Sequence, residues 1–245
     1  MPRFFTDEIR SVPVGGQYTV RGGDAVHIAR SLRMRAGDEI TLCDGAGSDY
    51  LCRILDAGDE VTVEVCGREP SRGEPNVELK LFQCLPKGDK MELIVQKAVE
   101  LGAAQITPVL SSRCISRPDE KSARKKGERL QKIADEAAGQ CGRGRLPQVT
   151  AQMKFAEALT AAQEDLLLFC YEGGGVPISQ ALMQKKAGQA VSLLIGSEGG
   201  FSPEEAEQAK AAGAVAVTLG PRILRCETAP LCAISAVMYA TGNLD

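Results

Sequence analysis

Residues 191–220, VSLLIGSEGGFSPEEAEQAKAAGAVAVTLG, decide the fold of this chain. They begin with the apolar run VSLLI, continue through a glycine-rich segment and end with a second apolar run, AVAVTLG. Between the two runs, Ser202 and Glu205 form a capping-box pattern and Pro203 stands at the first helical position, so a helix is predicted there. Apolar runs of this kind are typical of strands that are buried on both faces. The stretch therefore predicts two strands of a parallel sheet joined by a loop and a helix.

The same alternation of strands and helices extends on both sides of this stretch. Besides the two runs above, strands are predicted at 77–85, 105–111 and 165–171. Besides the helix after Ser202, helices are predicted at 89–103, 119–139, 153–163, 178–189 and 229–242. This pattern is typical of an α/β domain around a mainly parallel sheet. We expect that domain to span residues 74–245.

The first 70 residues have a different character. Short β-forming runs occur at 16–20, 38–44, 50–55 and 60–66, and a helix-like segment lies at 24–35. Short strands separated by Gly and Asp turns are typical of a small β-barrel. Residues 68–76, REPSRGEPN, are rich in Pro, Gly and charge and are interpreted as a linker. We therefore expect a separate first domain over residues 1–70.

Composition excludes several classes of protein. Hydrophobic residues make up 44% of the chain and charged residues 25%, as in ordinary globular domains. No apolar run approaches the roughly 20 residues that cross a bilayer, and the opening MPRFFTDEIR is too polar for a secretory signal. The nine cysteines include no CxxC pair, which favours reduced thiols over disulfides or a structural zinc site. We expect a cytoplasmic protein without a membrane partner or a metal.

His27 is the only histidine of the chain. A multi-histidine metal site is therefore impossible, and catalysis of the Ser-His-Asp type would depend on this one residue. His27 lies in the segment DAVHIARSLRM, where a packed or capping role is favoured over a catalytic one. Any chemistry must rely mainly on positioning and electrostatics.

Positive charge is concentrated in two segments, although the formal net charge is −3. Residues 1–35 carry six arginines against three acidic residues, and residues 113–145 carry ten basic residues against five acidic ones. Segments of this kind contact nucleic-acid phosphates or form solvated helix faces, and the charge alone favours neither alternative.

Two segments differ from ordinary α/β connections. Gly196–Phe201 places three glycines in six residues between a strand and a helix, which permits a ligand-binding loop or simply a tight turn. It has no phosphate-loop lysine, so a nucleotide hydrolase is excluded. Residues 219–230, LGPRILRCETAP, follow a buried strand. Helix capping would explain Glu227 and Thr228 but not the two arginines, so a functional site is favoured here.

The sequences LLIGSEGGFSPEE and LGPRILRCETAPLCAISA closely resemble the signature of a known family, the bacterial small-subunit ribosomal-RNA uridine N3-methyltransferases. This RsmE family belongs to the SPOUT superfamily of knotted methyltransferases. The segments MPRFF, HIARSLRMRAGDEI, KGDKMELIVQKAVELGAAQITPVLSSRC and ERLQKIADEAAGQCGRGRLPQV match as well, in the same order. Ser197 stands where the family more usually has a proline, which leaves the glycines unchanged.

The resemblance implies a fold, a cofactor and an oligomeric state. The fold would be an α/β class with a small N-terminal PUA-like β-barrel and a C-terminal SPOUT-type domain tied in a trefoil knot. The cofactor would be S-adenosylmethionine, held largely by backbone groups of three loops. Its predicted contacts are Cys170, Tyr171, Glu172, Gly196, Ser197, Glu198, Gly199, Gly200, Leu219, Gly220, Ile223, Leu224, Thr228 and Ala229. A homodimer involving the last helix is also implied, although the apolar character of that helix fits burial within one chain equally well.

The resemblance further implies methyl transfer to N3 of a uridine in small-subunit (16S) ribosomal RNA. Arg225 is predicted to stabilise negative charge on the uracil ring. Glu227 is the nearest candidate base, although capping the helix or orienting an arginine is favoured for it. RNA contacts are predicted at the basic residues Arg3, Arg10, Arg30, Arg33, Arg35, Arg124, Lys125, Lys126, Arg129, Lys132, Arg143 and Arg145.

Two alternatives remain open from the sequence. One is another SPOUT activity, such as ribose 2′-O methylation or modification of transfer RNA. The other is a non-catalytic RNA-binding assembly factor that retains the cofactor pocket.

Overall fold

The computed structural model describes residues 1–244, which divide into two compact units. The first unit contains residues 1–74 and 138–146, and the second contains residues 75–137 and the chain from residue 147 onward. Each unit has a hydrophobic core of its own. The first unit thus combines the N-terminal region with a segment from the second half of the chain.

The first unit is built on a five-stranded sheet in the order β1-β3-β4-β5-β2. Its elements are β1 (Arg3–Phe5), a 3₁₀ turn (Asp7–Ser11), β2 (Gln17–Val20), α1 (Gly22–Val26) continued by a π-helical turn (His27–Ser31), β3 (Glu39–Cys43), β4 (Ser48–Ala57) and β5 (Val61–Pro70). Strands β1 and β3 are parallel, and the other pairs are antiparallel. A hydrogen bond between Thr6 and Tyr18 (2.9 Å) links the ends of the curled sheet. The predicted barrel corresponds to this sheet.

Alternation along the strands creates the core of the first unit. In β5, Val61, Val63 and Val65 are buried while the residues between them are partly exposed, the period expected for a half-covered strand. His27 is exposed, and its ring packs edge-on against Phe4 at 5.9 Å between centroids. The histidine therefore has a packing contact, one of the two roles predicted for it.

Residues 68–76 are not a free linker, contrary to the sequence interpretation. Strand β5 continues to Pro70. The Glu74 carboxylate accepts hydrogen bonds from the Arg143 guanidinium (2.9 Å) and from the backbone N–H groups of Gly144 and Arg145 (both 3.0 Å). Glu74 thereby holds residues 143–145 in the first unit, a long-range pairing that no local sequence pattern reveals.

The second unit contains an eight-stranded sheet in which all pairs are parallel. Its elements are β6 (Leu79–Cys84), α2 (Lys90–Glu100), β7 (Gln105–Leu110), α3 (Glu120–Cys141, whose last turn belongs to the first unit), β8 (Gln148–Val149), β9 (Met153–Lys154), α4 (Phe155–Ala161), β10 (Leu166–Cys170), β11 (Val176–Pro177), α5 (Ile178–Leu182), β12 (Val191–Ile195), α6 (Pro203–Ala211), β13 (Val215–Thr218) and α7 (Ala229–Ala240). The strand order is β11-β13-β10-β12-β6-β7-β8, and β9 pairs with β7. Every residue of β12 is buried, as its continuous apolar run predicts.

Two predicted helices lose more than a third of their predicted length. The helix predicted at 178–189 ends at Leu182, because the following residues have no apolar face to bury: Met183 is 84% exposed and the next residues are polar. The helix predicted at 153–163 is preceded by β9 and spans Phe155–Ala161. The strands β8, β9 and β11 have two residues each, too few to produce a periodic pattern.

None of the helices within residues 1–244 is long and apolar enough to span a membrane.

Candidate functional site

A cavity of about 530 Å³ lies at the carboxyl ends of β10, β12 and β13 in the second unit. These three strands are neighbours in the sheet, in the order β13-β10-β12. The loops that follow parallel neighbouring strands emerge at one edge, which is where ligands bind in α/β proteins. The cavity is therefore where the fold itself favours a small-molecule site.

Most of the residues predicted to hold the cofactor line this cavity. They are Cys170, Tyr171, Glu172, Gly196, Ser197, Glu198, Gly200, Leu219, Gly220, Ile223, Leu224 and Ala229. The catalytic candidate Arg225 also lines it. The three predicted loops thus meet at one cavity. Within the described chain, Gly199, Glu227 and Thr228 belong to these loops but do not line it.

The glycine-rich loop is compact because side chains do not fit at two of its positions. Gly200 has φ +61°, and a Cβ atom there would lie 3.1 Å from the Glu172 carboxylate. A Cβ atom at Gly196 would lie 3.0 Å from the Gly200 Cα. The loop closes through the Gly200 N–H, which donates to the Ser197 carbonyl (2.9 Å), and Phe201 is 3% exposed in the core. Glycine here is required by close backbone packing.

The helix after the loop starts with the capping box that the sequence predicts. The Glu205 N–H donates to Ser202 Oγ (3.2 Å), and the Ser202 N–H donates to Glu205 Oε2 (3.0 Å). Glu205 is 6% exposed, and its other oxygen accepts from the Ser112 N–H (2.6 Å). Arg113 donates to the Gly199 carbonyl (2.8 Å) from the same β7–α3 segment. That segment therefore supports the glycine loop, a connection the sequence analysis missed.

Lys90, the first residue of α2, was also missed. Its Nζ lies 2.9 Å from Glu198 Oε1 and 3.2 Å from Glu227 Oε2, and the residue lines the cavity. Partial burial would raise the pKa of Glu198, but hydrogen bonds from Lys90 and from backbone N–H groups, including that of Lys87, hold it at about 2. The sequence could have indicated Lys90 only through the position of β6 beside β12, which is a property of the assembled sheet.

The segment 219–230 presents two arginines to the cavity. Arg222 and Arg225 are both exposed, and among the described residues neither guanidinium has a hydrogen bond or an ion pair. Leu219 and Leu224 are half-buried, whereas Ile223 is 88% exposed. Thr228 stands at the N-cap of α7 but its side chain makes no capping hydrogen bond. Capping therefore does not account for this segment.

Glu227 contacts Cys226 and Lys90, whereas helix capping or contact with an arginine was predicted. Its Oε2 lies 3.2 Å from the Cys226 thiol as well as 3.2 Å from Lys90 Nζ. Hydrogen bonds from Cys226, from the backbone and from Lys90 lower the pKa of Glu227. A carboxylate with a lowered pKa is a weak proton acceptor. The geometry thus favours an ion-pairing role for Glu227 over that of a base.

Arg3 and Arg143 do not fit the predicted RNA contacts. Arg3 pairs with the buried Asp49 at 2.7 Å, and Arg143 is 3% exposed and pairs with Glu74. Both guanidinium groups stabilise the first unit, because each neutralises a carboxylate with little solvent access. The remaining predicted residues are exposed, namely Arg10, Arg30, Arg33, Arg35, Arg124, Lys125, Lys126, Arg129, Lys132 and Arg145.

Within residues 1–244, no group of three or more His, Cys, Asp or Glu side chains is arranged to hold a metal ion.

Comparison with known proteins defines the class of this chain. A family model described as an RNA methyltransferase domain matches residues 73–238, and a model described as an RNA methyltransferase PUA domain matches residues 20–66. Together they identify an RNA methyltransferase with a PUA domain, in agreement with the two units of the fold.

Individual relatives refine the class to a family. The chain is 34% identical to the ribosomal RNA small subunit methyltransferase E of Bacillus subtilis, over 100% of this chain and 98% of that protein. It is 33% identical to the protein of the same name from Synechocystis, over 86% of this chain and 69% of that protein. The crystal structure of the Neisseria gonorrhoeae methyltransferase E, bound to S-adenosyl methionine, matches with 35% identity and a TM-score of 0.85, over 97% of each chain. The chain belongs to the ribosomal RNA small subunit methyltransferase E family.

Proposed function

We propose that this protein transfers the methyl group of S-adenosylmethionine to N3 of a uridine in small-subunit ribosomal RNA, in the cytoplasm. The observation that carries the proposal is the cavity at the strand ends. Its wall includes an exposed arginine, Arg225, whose guanidinium has no polar partner among the described residues. Methyl transfer from S-adenosylmethionine follows from membership of the family. What we add is the acceptor atom, N3 of a uridine.

The residues of the cavity suit this cofactor. Its volume of about 530 Å³ is in the range of small-molecule sites. Leu219, Ile223 and Leu224 offer apolar contact for an adenine ring, and the loop backbone supplies hydrogen-bonding groups. Glu172 is exposed, lines the cavity and has no ion pair within the described chain, so its carboxylate is available to a cationic group. S-adenosylmethionine carries both a sulfonium and an ammonium cation.

When bound, the cofactor supplies an electrophilic methyl group on sulfur. N3 of uracil carries a proton, and its loss leaves negative charge spread over N3 and the two carbonyl oxygens. In this proposal the Arg225 guanidinium stabilises that charge; it lines the cavity and has no ion pair among the described residues. Holding the acceptor in line supplies a further part of the rate. With Glu227 occupied by Lys90, the N3 proton passes to solvent water in this scheme.

Two further features belong to the proposal. We infer a trefoil knot around the three loops of the cavity, as the family resemblance implies. The strand order β13-β10-β12 requires the chain to cross β10 between β12 and β13. We also infer a homodimer. Helix α7 packs against α2, α5, β6 and β12, which explains its buried residues Ala233, Ile234 and Val237, while Cys232 and Tyr239 remain exposed for a partner.

The test is a methyl-transfer assay with tritiated S-adenosylmethionine and small ribosomal subunits from a strain that lacks this enzyme. Nucleoside analysis of the product identifies the acceptor, and label in 3-methyluridine is the expected result. Label in a 2′-O-methylated nucleoside or in transfer RNA would contradict the acceptor assignment. Cofactor binding without any transfer would favour a non-catalytic assembly factor.

A further inference from the structure

Lys90 connects two walls of the cavity. Its Nζ contacts Glu198 of the glycine loop at 2.9 Å and Glu227 of the segment 219–230 at 3.2 Å. The same nitrogen lies 3.7 Å from the Cys226 thiol. One ammonium group thus joins the start of α2 to two of the three loops that surround the proposed cofactor.

The two carboxylates need this ammonium group in order to lie so close together. Oxygens that lie 2.9 and 3.2 Å from one nitrogen are within about 6 Å of each other. Both groups have a lowered pKa, about 2 for Glu198, and are therefore ionised at neutral pH. Without Lys90, two negative charges would face each other at the cavity and repel.

We propose that Lys90 is a positioning residue that holds the glycine loop and the segment 219–230 at the separation the cofactor requires. The inference rests on the proposed function, in that it takes this cavity as the S-adenosylmethionine site. No other cation of the lining performs this task, since Arg222 and Arg225 have no carboxylate partner among the described residues.

Lys87 provides a matched control from the connection that precedes α2. Its backbone N–H donates to Glu198 (3.2 Å), a contact that survives substitution of the side chain. The residue is exposed, and within the described chain its ammonium group forms no ion pair. Lys87→Met and Lys90→Met therefore remove the same charge from neighbouring positions, but only the second removes the bridge.

The experiment measures the Kd of S-adenosylmethionine for the purified full-length protein by calorimetry. We expect Lys90→Met to raise Kd about tenfold, an effect between those of exposed and buried ion pairs. Lys87→Met should stay within about threefold of wild type, and Lys90→Arg, which keeps a bridging cation, should lie closer to wild type than Lys90→Met. The double variant K90M/E227Q should bind about threefold more tightly than K90M, because it removes one of the repelling charges.

Dependence on pH separates this role from a general loss of structure. The charged or titratable groups facing Lys90 are Glu198, Glu227 and Cys226, and burial raises the pKa of the Cys226 thiol to about 12, so it stays neutral. In K90M the pKa values of the two carboxylates rise towards or above the usual value of about 4.3. The ratio of the K90M Kd to the wild-type Kd should therefore decrease from pH 7 to about pH 4, where the two carboxylates are mostly protonated in K90M. The cofactor's own titration cancels in this ratio.

Each outcome decides between the two proposals. Ile223→Lys places a cation on the exposed cavity wall and should weaken binding if the cofactor lies there. If I223K weakens binding and K90M does not, the cavity assignment stands and the positioning role is wrong. If neither variant weakens binding, both fall. The positioning role would also be wrong if K90M raised the Kd, E227Q did not lower it again, and the ratio of the K90M Kd to the wild-type Kd stayed constant at low pH. If the expected pattern appears but the wild type forms no 3-methyluridine, only the acceptor assignment fails.

Discussion

At the scale of single residues, Arg225 is the group on which the proposed chemistry depends. It lines the cavity and its guanidinium has no polar partner among the described residues, so its charge is available to a ligand. We expect Arg225→Ala to lower kcat by about 10²- to 10³-fold, the usual effect of removing one group that stabilises developing negative charge. The Kd of S-adenosylmethionine should change little, because the arginine acts on the acceptor. The measurement combines single-turnover methyl transfer with calorimetry.

Arg222→Ala is the matched control, because Arg222 is equally exposed and lies three residues away on the same cavity wall. Nearly full turnover of the R225A enzyme, with RNA binding retained, would remove Arg225 from the mechanism. Equal losses for both variants would indicate a general electrostatic attraction of RNA in place of a specific role for Arg225.

A second prediction at this scale concerns the Arg3–Asp49 pair and acid. Burial alone would raise the pKa of Asp49, but hydrogen bonds from Arg3 and Ser71 outweigh it and lower that pKa. A carboxyl whose pKa is lower in the folded state stabilises the fold above its unfolded pKa of about 3.9, and this contribution is lost as pH falls further. We expect Asp49→Asn to destabilise the protein at pH 7 by about 2 kcal/mol, between the effects for exposed and buried pairs, since the half-buried Arg3 is left without a counter-charge.

Asp59→Asn is the control for this pair. Its carboxylate is 97% exposed and lies 3.4 Å from Arg30, so its loss should cost no more than about 0.5 kcal/mol. Urea unfolding at pH 7 and pH 3.5 checks both variants. The difference between wild type and D49N should shrink at the lower pH, and a constant difference would show that the carboxylate charge of Asp49 does not contribute.

At the scale of elements, Glu205 joins the start of α6 to the β7–α3 segment. Its two oxygens accept from the Ser202 N–H and the Ser112 N–H, and the residue is 6% exposed. We expect Glu205→Ala to destabilise the fold by about 2 kcal/mol, because two N–H groups lose their partner. Ser202→Ala removes only one capping bond and should cost about 1 kcal/mol. Thermal or urea unfolding of both variants tests this order, and equal effects would show that the Ser112 contact contributes nothing.

Sequence patterns predicted the elements of this molecule well wherever a pattern is local. The buried strand β12, the capping box at Ser202 and the helix α7 all follow from neighbouring residues. Two loops of the cavity stand out in the sequence because glycines and arginines lie between apolar strands, whereas the loop after β10 was named only through the family resemblance. Lys90 and Arg113 were missed. They follow β6 and β7, and the sequence does not show that β12, where the glycine loop begins, is followed in the sheet by β6 and then by β7. The pairing of Arg3 with Asp49 and of Arg143 with Glu74 was not foreseen, because sequence shows charge but not the carboxylate that neutralises it.

At the scale of the whole molecule, the open question from the sequence is whether the basic helix α3 contacts RNA or is only a solvated face. Arg124 pairs with Glu128 (3.1 Å) and Arg129 with Glu92 (2.8 Å). Lys125 and Lys126 are exposed and have no ion pair among the described residues. The two lysines therefore offer charge that RNA phosphates can use without breaking an existing pair.

We expect the logarithm of the RNA association constant to fall linearly with the logarithm of the salt concentration. The double variant K125A/K126A should have a shallower slope. Each phosphate contact contributes about 0.7 to 0.9 to that slope, so the loss of two contacts lowers it by about 1.4 to 1.8. R124A/R129A removes the same charge from the same helix, but its guanidinium groups already have carboxylate partners, so its slope should change less. Filter binding to small ribosomal subunits across a salt series measures both slopes. An unchanged slope for K125A/K126A would mean that these two lysines are solvated and do not contact RNA. RNA contact would then have to come from other exposed cations without an ion pair in the described chain, such as Lys132 of α3 and Arg33 and Arg35 of the first unit.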